Sequence, residues 1–364
     1  MRFLKVIKQY RILFLLWMGV VPTNFVAAQQ MAASHTAESV PSGEKRGEYH
    51  EDFSTPSLKG SAFFPIPPVV GQIDDYPQNS FIRERWQLDW RPSDPIDIYI
   101  VTPRGIKNPP VILYLYTYPG NTDRFKSDDW CAAATSNGFA AVGFVSAYTG
   151  HRREMRALKE MFLPELQESL SSTVHDVQLI LDYLKTRNDL DMNRVGMFGQ
   201  GSGGSIAILA SAVEPRIKAV DVLNPWGDWP EFFSKSAFIQ EASRAKYTAP
   251  EYLSKVSSLD PLAWLPKMKA QSVRIQDVRM SGPMPDELQQ SLEEAAPATA
   301  EIDQYGDSAA LVPHAAGGAL FSWIKTRLQE NGKHEVAQEK SERVHFYPPK
   351  AVQNPLPPLG LQKN

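Results

Sequence analysis

The stretch Val195-Gly196-Met197-Phe198-Gly199-Gln200-Gly201-Ser202-Gly203-Gly204, followed by an apolar run over 205–212, decides the fold. A short apolar strand runs into a turn too tight for side chains, and a helix leaves it. Gly199 and Gly203 flank a single residue at distances of two, the places where a Cβ would clash in a sharp strand-to-helix turn. Counting from them puts Gly201 at the apex. Glycines in such a loop can also cradle a phosphate, but that use needs a lysine at a set place after them, and none is there.

Working outward, strands and helices alternate. Ile96-Asp97-Ile98-Tyr99-Ile100 has the period of a half-exposed strand, and Val111-Ile112-Leu113-Tyr114-Leu115-Tyr116 is apolar throughout, as a buried strand is. Asn137-Gly138 closes a helix, and 140–145 reads as the next strand. Val174, Val177, Ile180, Leu181 and Leu184 recur at helical spacing before the 194–198 strand. Residues 219–223 and 272–276 are further strands, and a helix over 319–328 ends the domain. This order predicts an α/β fold with a mostly parallel sheet flanked by helices. Residues 225–266 break the rhythm with Trp226, Trp229, Phe232, Phe233, Phe238, Tyr247, Tyr252 and Trp264. We read them as a helical cap over the strand ends, whose aromatics either line a pocket or fasten the cap to the body.

The ends differ in character. Arg2, Lys5, Lys8 and Arg11 precede an apolar run over 12–21, with small residues at Val26-Ala27-Ala28. This is the pattern of a signal peptide over 1–28, too short to span a bilayer comfortably, and it predicts a periplasmic or secreted protein. Residues 29–60 read as a mobile leader and 331–364, ending in Pro355-Leu356-Pro357-Pro358, as a Pro-rich extended tail. Between them, 61–330 is about 270 residues, which suits one large domain better than two. Of the 364 residues 43% are hydrophobic and 22% charged, enough for a substantial core, and the net charge of −3 leaves no basic field of the kind nucleic-acid binders use. The lone cysteine, Cys131, excludes an internal disulfide and reads as a core thiol. No His, Asp and Glu spacing points to a metal, and nothing calls for a cofactor.

The glycine-framed turn between a buried strand and a helix resembles the nucleophile elbow of the α/β-hydrolase superfamily, in its esterase and prolyl-oligopeptidase-like branches. The resemblance runs from about residue 95 to 328. It includes Leu259-Asp260-Pro261 leading through Met268 into the 272 strand, which is similar to the segment before the family's acid-bearing loop. It implies a Ser–His–Asp unit, in which the base must reach the nucleophile's proton and the acid must orient the base. At the nucleophile's place stands Gly201. A slip of one residue would instead put Ser202 at the apex, with Gln200 in the cramped place before it; without the slip, Ser202 supplies an oxyanion-hole N–H. The acid's place, four residues before Pro285, holds Ser281, while Asp277 lies earlier at the strand end, where solvent-facing aspartates are common. The histidine should follow a strand near 301–305. Gly306-Asp307-Ser308 is there instead, and His314 comes several residues late, as an exposed loop histidine or a base swung back.

With three positions changed together, the resemblance implies that ordinary acyl transfer is lost and that a pocket for a small molecule or peptide remains. Glycine suits a retired apex, because it accepts positive φ without the strain a side chain brings. The competing expectation is an active ester or peptide hydrolase using Ser202, with His314 or His151 as base and Asp277 as acid. A third is a partner-binding role for the aromatic cap and Pro-rich tail. Other candidates are the loop after the 111–116 strand, where Thr117, Tyr118, Gly120 and Asn121 form either an anion-binding turn or a plain one, joined by Ser202 and Gly203 from the elbow. His151 and Arg152 either face the crevice or lie on a solvated loop. His175 caps or packs, and Asn224 and Asp228 line the same crevice beside Trp226.

Overall fold

Alternate residues of Val111-Ile112-Leu113-Tyr114-Leu115 enter two different cores. Val111, Leu113 and Leu115 join one, Ile112 and Tyr114 the other. The strand is therefore covered on both faces, which is why its sequence shows no polar alternation. It is β4 (Pro110–Leu115), and it has a parallel neighbour on each side, β5 (Ala140–Phe144) and β6 (Asp191–Gln200). In the computed structural model the residues described are 49–63, 68–118, 120, 122–148, 152, 163–279, 284–330 and 343–349.

The other strands are β1 (Val69–Asp74), β2 (Phe81–Leu88), β3 (Ile96–Pro103), β7 (Ile217–Leu223), β8 (Ser272–Val278), β9 (Glu301–Tyr305) and β10 (Val344–Tyr347). They form one sheet in the order β1-β2-β3-β5-β4-β6-β7-β8-β9-β10. From β5 to β10 every pairing is parallel; β1, β2 and β3 run antiparallel at one edge. On one face lie α1 (Asp128–Thr135) and α10 (Ser322–Glu330), whose Trp130, Ile324 and Leu328 pack with Tyr114 and Phe198. On the other lie α2 (Leu166–Thr186) and α3 (Ser202–Val213). Nearly all of α3 is buried, as expected of a helix apolar all round. Asn137 and Gly138 take positive φ just after α1, ending it before β5.

The aromatic segment forms short helices, α4 (Trp229–Lys235), α5 (Glu241–Tyr247), α6 (Pro250–Val256) and α7 (Pro261–Trp264). Trp226 stacks on Phe232 at 5.6 Å and Trp229 on Phe233 at 5.7 Å, and all four are buried in the core that α2 and α3 share. These rings fasten the segment to the body. Asp260 ties it internally, accepting from the N–H groups of Asp228, Trp229 and Leu262 at 2.8, 2.8 and 3.0 Å. The remaining helices are α8 (Asp286–Ala295) and α9 (Ser308–Ala315). No helix among the described residues is long and apolar enough to cross a membrane.

Both expected end segments need correction where they are described. Residues 49–60 are not a free leader: Glu51 and Pro56 are buried, and His50 bridges to Ala62. Residues 343–349 are not a free tail, since β10 pairs with β9 and Tyr347 stacks on Tyr305 at 4.9 Å. Composition missed both because their partners, Arg91, His175 and Tyr305, are distant in sequence. The 1–28 segment, the rest of the leader and the end of the tail lie outside the described residues.

Candidate functional site

The turn from β6 into α3 places Gly201 at φ +55°, ψ −119°, a conformation that strains any residue with a side chain. Its flanks are closed by backbone. A Cβ on Gly199 would run into the Gly203 carbonyl, and one on Gly203 into the carbonyl of Leu115 at the end of β4. Gly201 N–H donates to Leu223 O at 2.9 Å, tying the apex to the end of β7. The apex is thus residue 201, and Ser202 is the first residue of α3.

The space a side chain at 201 would need is filled. A Cβ there would overlap Thr117 Oγ1 outright and would stand 3.0 Å from Thr117 Cβ and 3.3 Å from Trp226 Nε1. Thr117 lies two residues past the end of β4, so its hydroxyl meets the apex from the loop that leaves the neighbouring strand. Ser202 N–H, which would help hold an oxyanion in a working elbow, donates to Thr117 Oγ1 at 3.3 Å. Tyr118 N–H, on the loop that would supply the second donor, donates to Ser202 Oγ at 3.0 Å. Ser202 and Tyr118 are buried and Thr117 half-buried. Both N–H groups are therefore taken by the chain's own hydroxyls, and an incoming oxygen would have to displace them. Gly120 is half-buried beside Asp123; Asn121 lies outside the described residues.

The expected acid and base do not gather here. Asp277, expected to face solvent at a strand end, is buried in β8 and turned toward Glu293 of α8. Burial, and then Glu293, push its carboxyl well above the ordinary 3.8. Among the described residues neither of its oxygens has a hydrogen-bond partner, and burial without a donor favours the neutral carboxyl. Glu293 is held in turn by Arg279 at 2.6 Å and Gln304 at 2.7 Å. Ser281, at the expected acid position, lies outside the described residues. His314 is not on a loop: it sits in the last turn of α9, half-buried, with its ring 4.3 Å from Tyr347 and 5.4 Å from Tyr305. Asp307 caps α9 by accepting from Ala310 N–H at 2.8 Å, so the chain after β9 enters a helix at once instead of a loop free to swing toward the elbow. None of the described histidines, His50, His175, His314 and His345, hydrogen-bonds to Ser202.

The remaining candidates are structural in their contacts. Arg152 is neither solvated nor open to a crevice; it is fully buried, bidentate to Asp94 at 2.9 and 2.7 Å and bonded to Asp176 at 2.6 Å. His151 lies outside the described residues. His175 is buried and bonded to Glu51 and Thr55. Asn224 takes φ +46° and accepts from Val278 N–H at 2.7 Å, stapling the ends of β7 and β8, so its amide is engaged within the sheet. Asp228 starts α4 in a left-handed conformation. The Cys131 thiol is buried, which pushes its pKa up to about 11. Among the described residues no group of three or more His, Cys, Asp or Glu is placed to hold a metal ion.

A sheet of this order, with a sharp glycine-framed turn joining a central strand to a buried helix, is the α/β-hydrolase fold. More closely, the model of the dienelactone hydrolase family matches residues 96–250. Among curated proteins, the putative hydrolase YtaP of Bacillus subtilis (strain 168) is 27% identical over 169 residues, 42% of this chain and 56% of that protein. The match thus spans little more than half of the relative's length. Among solved structures, an acetyl xylan esterase from Paenibacillus sp. R4 superposes with a TM-score of 0.53 at 18% identity, covering 72% of this chain and 89% of that one. An S-formylglutathione hydrolase from Agrobacterium tumefaciens gives 0.53 at 14%, covering 71% and 99%. The Pyrococcus horikoshii acylaminoacyl peptidase gives 0.53 at 14%, covering 72% and 44%. At these identities the structural likenesses carry the fold alone.

Proposed function

We propose that this protein is an exported hydrolase-fold protein that does not perform serine acyl transfer at its elbow and that binds a small molecule or peptide rather than nucleic acid. The observation that carries the first part is the pairing of Gly201 with Thr117. The apex has no hydroxyl of its own, and the room for one is taken. Covalent catalysis needs a nucleophile, a base in reach of it and free donors for the oxyanion. The first is absent at the apex, no described histidine serves the second, and the third is closed by Ser202 Oγ and Thr117 Oγ1. A ligand carbonyl or carboxylate entering this site would exchange with those two hydroxyls, which requires side-chain rotation only. Purified protein is expected to turn over a short-chain p-nitrophenyl ester no faster than buffer, with wild type and Ser202→Ala alike. Turnover above background that disappears in Ser202→Ala would establish the active-hydrolase alternative in its place.

Export rests on the basic and apolar segments ahead of Val26-Ala27-Ala28. N-terminal sequencing of protein recovered outside the cytoplasm is expected to begin at Gln29; an intact Met1 in that fraction would count against cleavage.

A further inference from the structure

Ser171, His175 and Gln178 form a buried polar stripe on α2. The stripe does not meet another helix. It reads the main chain of residues 52–58. Ser171 Oγ donates to Thr55 O at 2.7 Å, and His175 Nε2 lies 3.1 Å from the same oxygen. Gln178 Nε2 donates to Pro56 O at 2.8 Å, while its Oε1 accepts from Leu58 N–H at 3.4 Å. One side chain of the segment enters the body. Glu51 receives Arg91 Nε and Nη2 at 2.6 and 2.7 Å, Tyr49 Oη at 2.6 Å, and lies 2.7 Å from His175 Nδ1. Arg91 also bonds Asp176, which holds Arg152, which holds Asp94, so Glu51 closes a buried chain of charges.

Ser171, His175 and Glu51 stand in the order of a Ser–His–acid unit, yet their surroundings give them another task. Ser171 directs its proton to Thr55 O, and all three side chains are shut from water. What they hold is the segment 49–63. Besides these bonds, Phe63 packs against the core, with its ring 6.2 Å from that of His175 and Arg91 5.4 Å from its centroid. Of its residues only Glu51 and Pro56 are buried, and its one β-bridge, His50 to Ala62, is internal. It takes no part in the sheet, so its departure would break no strand pairing. A segment fastened by polar bonds with little apolar burial belongs to the low end of local stability.

We infer that residues 49–63 are a strap that opens as a unit while the sheet stays folded, with the Glu51 carboxylate as its lock.

Hydrogen exchange read by mass spectrometry on the full-length protein tests this. In Glu51→Gln, peptides covering 49–63 are expected to exchange at least roughly tenfold faster than in wild type, the factor one charge-assisted hydrogen bond is worth. Peptides covering β6 should be unchanged. Unaltered strap exchange in the variant would overturn the lock. Should the variant fail to fold, wild type in sub-denaturing urea decides. Strap peptides exchanging well ahead of β6 support a separate opening, and the two exchanging in step would refute it.

Discussion

Thr117 and Gly201 share one site: the hydroxyl of the first fills the volume that a side chain on the second would need. The pair comes from the turns that leave two neighbouring strands, β4 and β6, and explains in steric terms why the apex is glycine here. It also makes a coupled prediction. Gly201→Ser alone meets backbone strain of about 1–3 kcal/mol at positive φ and overlap with Thr117 of a further ~1–3 kcal/mol. Melting should fall by several degrees. Thr117→Ala in the same chain removes the overlap but not the strain, so the double variant should be more stable than the two single losses added together. A coupling of about 1 kcal/mol or more is expected from thermal melts of the four proteins; strict additivity would separate the two residues.

Asp277 yields a pH-dependent prediction. Its carboxyl is held well above the ordinary 3.8 by burial and by Glu293. A group whose folded pKa is raised favours the fold at pH below its unfolded value and loses that contribution as pH rises. Asp277→Asn stays neutral throughout. The variant should therefore gain on wild type as pH climbs above 3.8. Urea midpoints measured from pH 4 upward check it, and a difference independent of pH would contradict the raised carboxyl.

The strap responds to acid in the opposite sense. Burial raises the Glu51 carboxyl, but hydrogen bonds from Arg91 and His175 outweigh it and hold the group at about 2, below the ordinary 4.5. Stability from a depressed carboxyl is present above its unfolded value and is lost as pH falls through the folded one. Protection of 49–63, taken against the intrinsic amide rate at each pH, should hold down to pH 4.5 and fall as pH drops toward 2. Glu51→Gln should lack that acid-dependent step.

Tyr114 carries a hydroxyl that is buried and has no hydrogen-bond partner among the described residues. Leaving such a group unpaired costs about 1–3 kcal/mol. Tyr114→Phe removes the group with its ring packing against Trp130, Phe198 and Phe321 intact, so its melting temperature should equal or exceed that of wild type. Tyr116→Phe is the contrast, because its hydroxyl accepts from Trp130 Nε1 at 3.0 Å and its loss should destabilise.

Much of this was legible in order along the chain and little of it across the chain. The period-two and apolar runs located β3 to β8, and glycine spacing located the apex at residue 201, because both signals are local and steric. Thr117 as the apex's filler is 85 positions from the Ser202 it bonds, and no local pattern marks it. Asp277 read as a solvent-facing strand end because nothing local pairs it with Glu293, which only the packing of α8 brings to it. Glu51 and β10 read as loose ends for the same reason: a charged or mixed segment is ordered by partners that only the fold brings near. The order of the sheet's first two strands was also silent, since β1 is largely exposed and its residues carry no core pattern.

The absence of an acylable hydroxyl at the elbow is tested most directly by treating wild-type protein with a fluorophosphonate and measuring its intact mass. The account predicts the unmodified mass after prolonged exposure. A single phosphonyl adduct, mapped by peptide sequencing to Ser202 or Thr117, would contradict it.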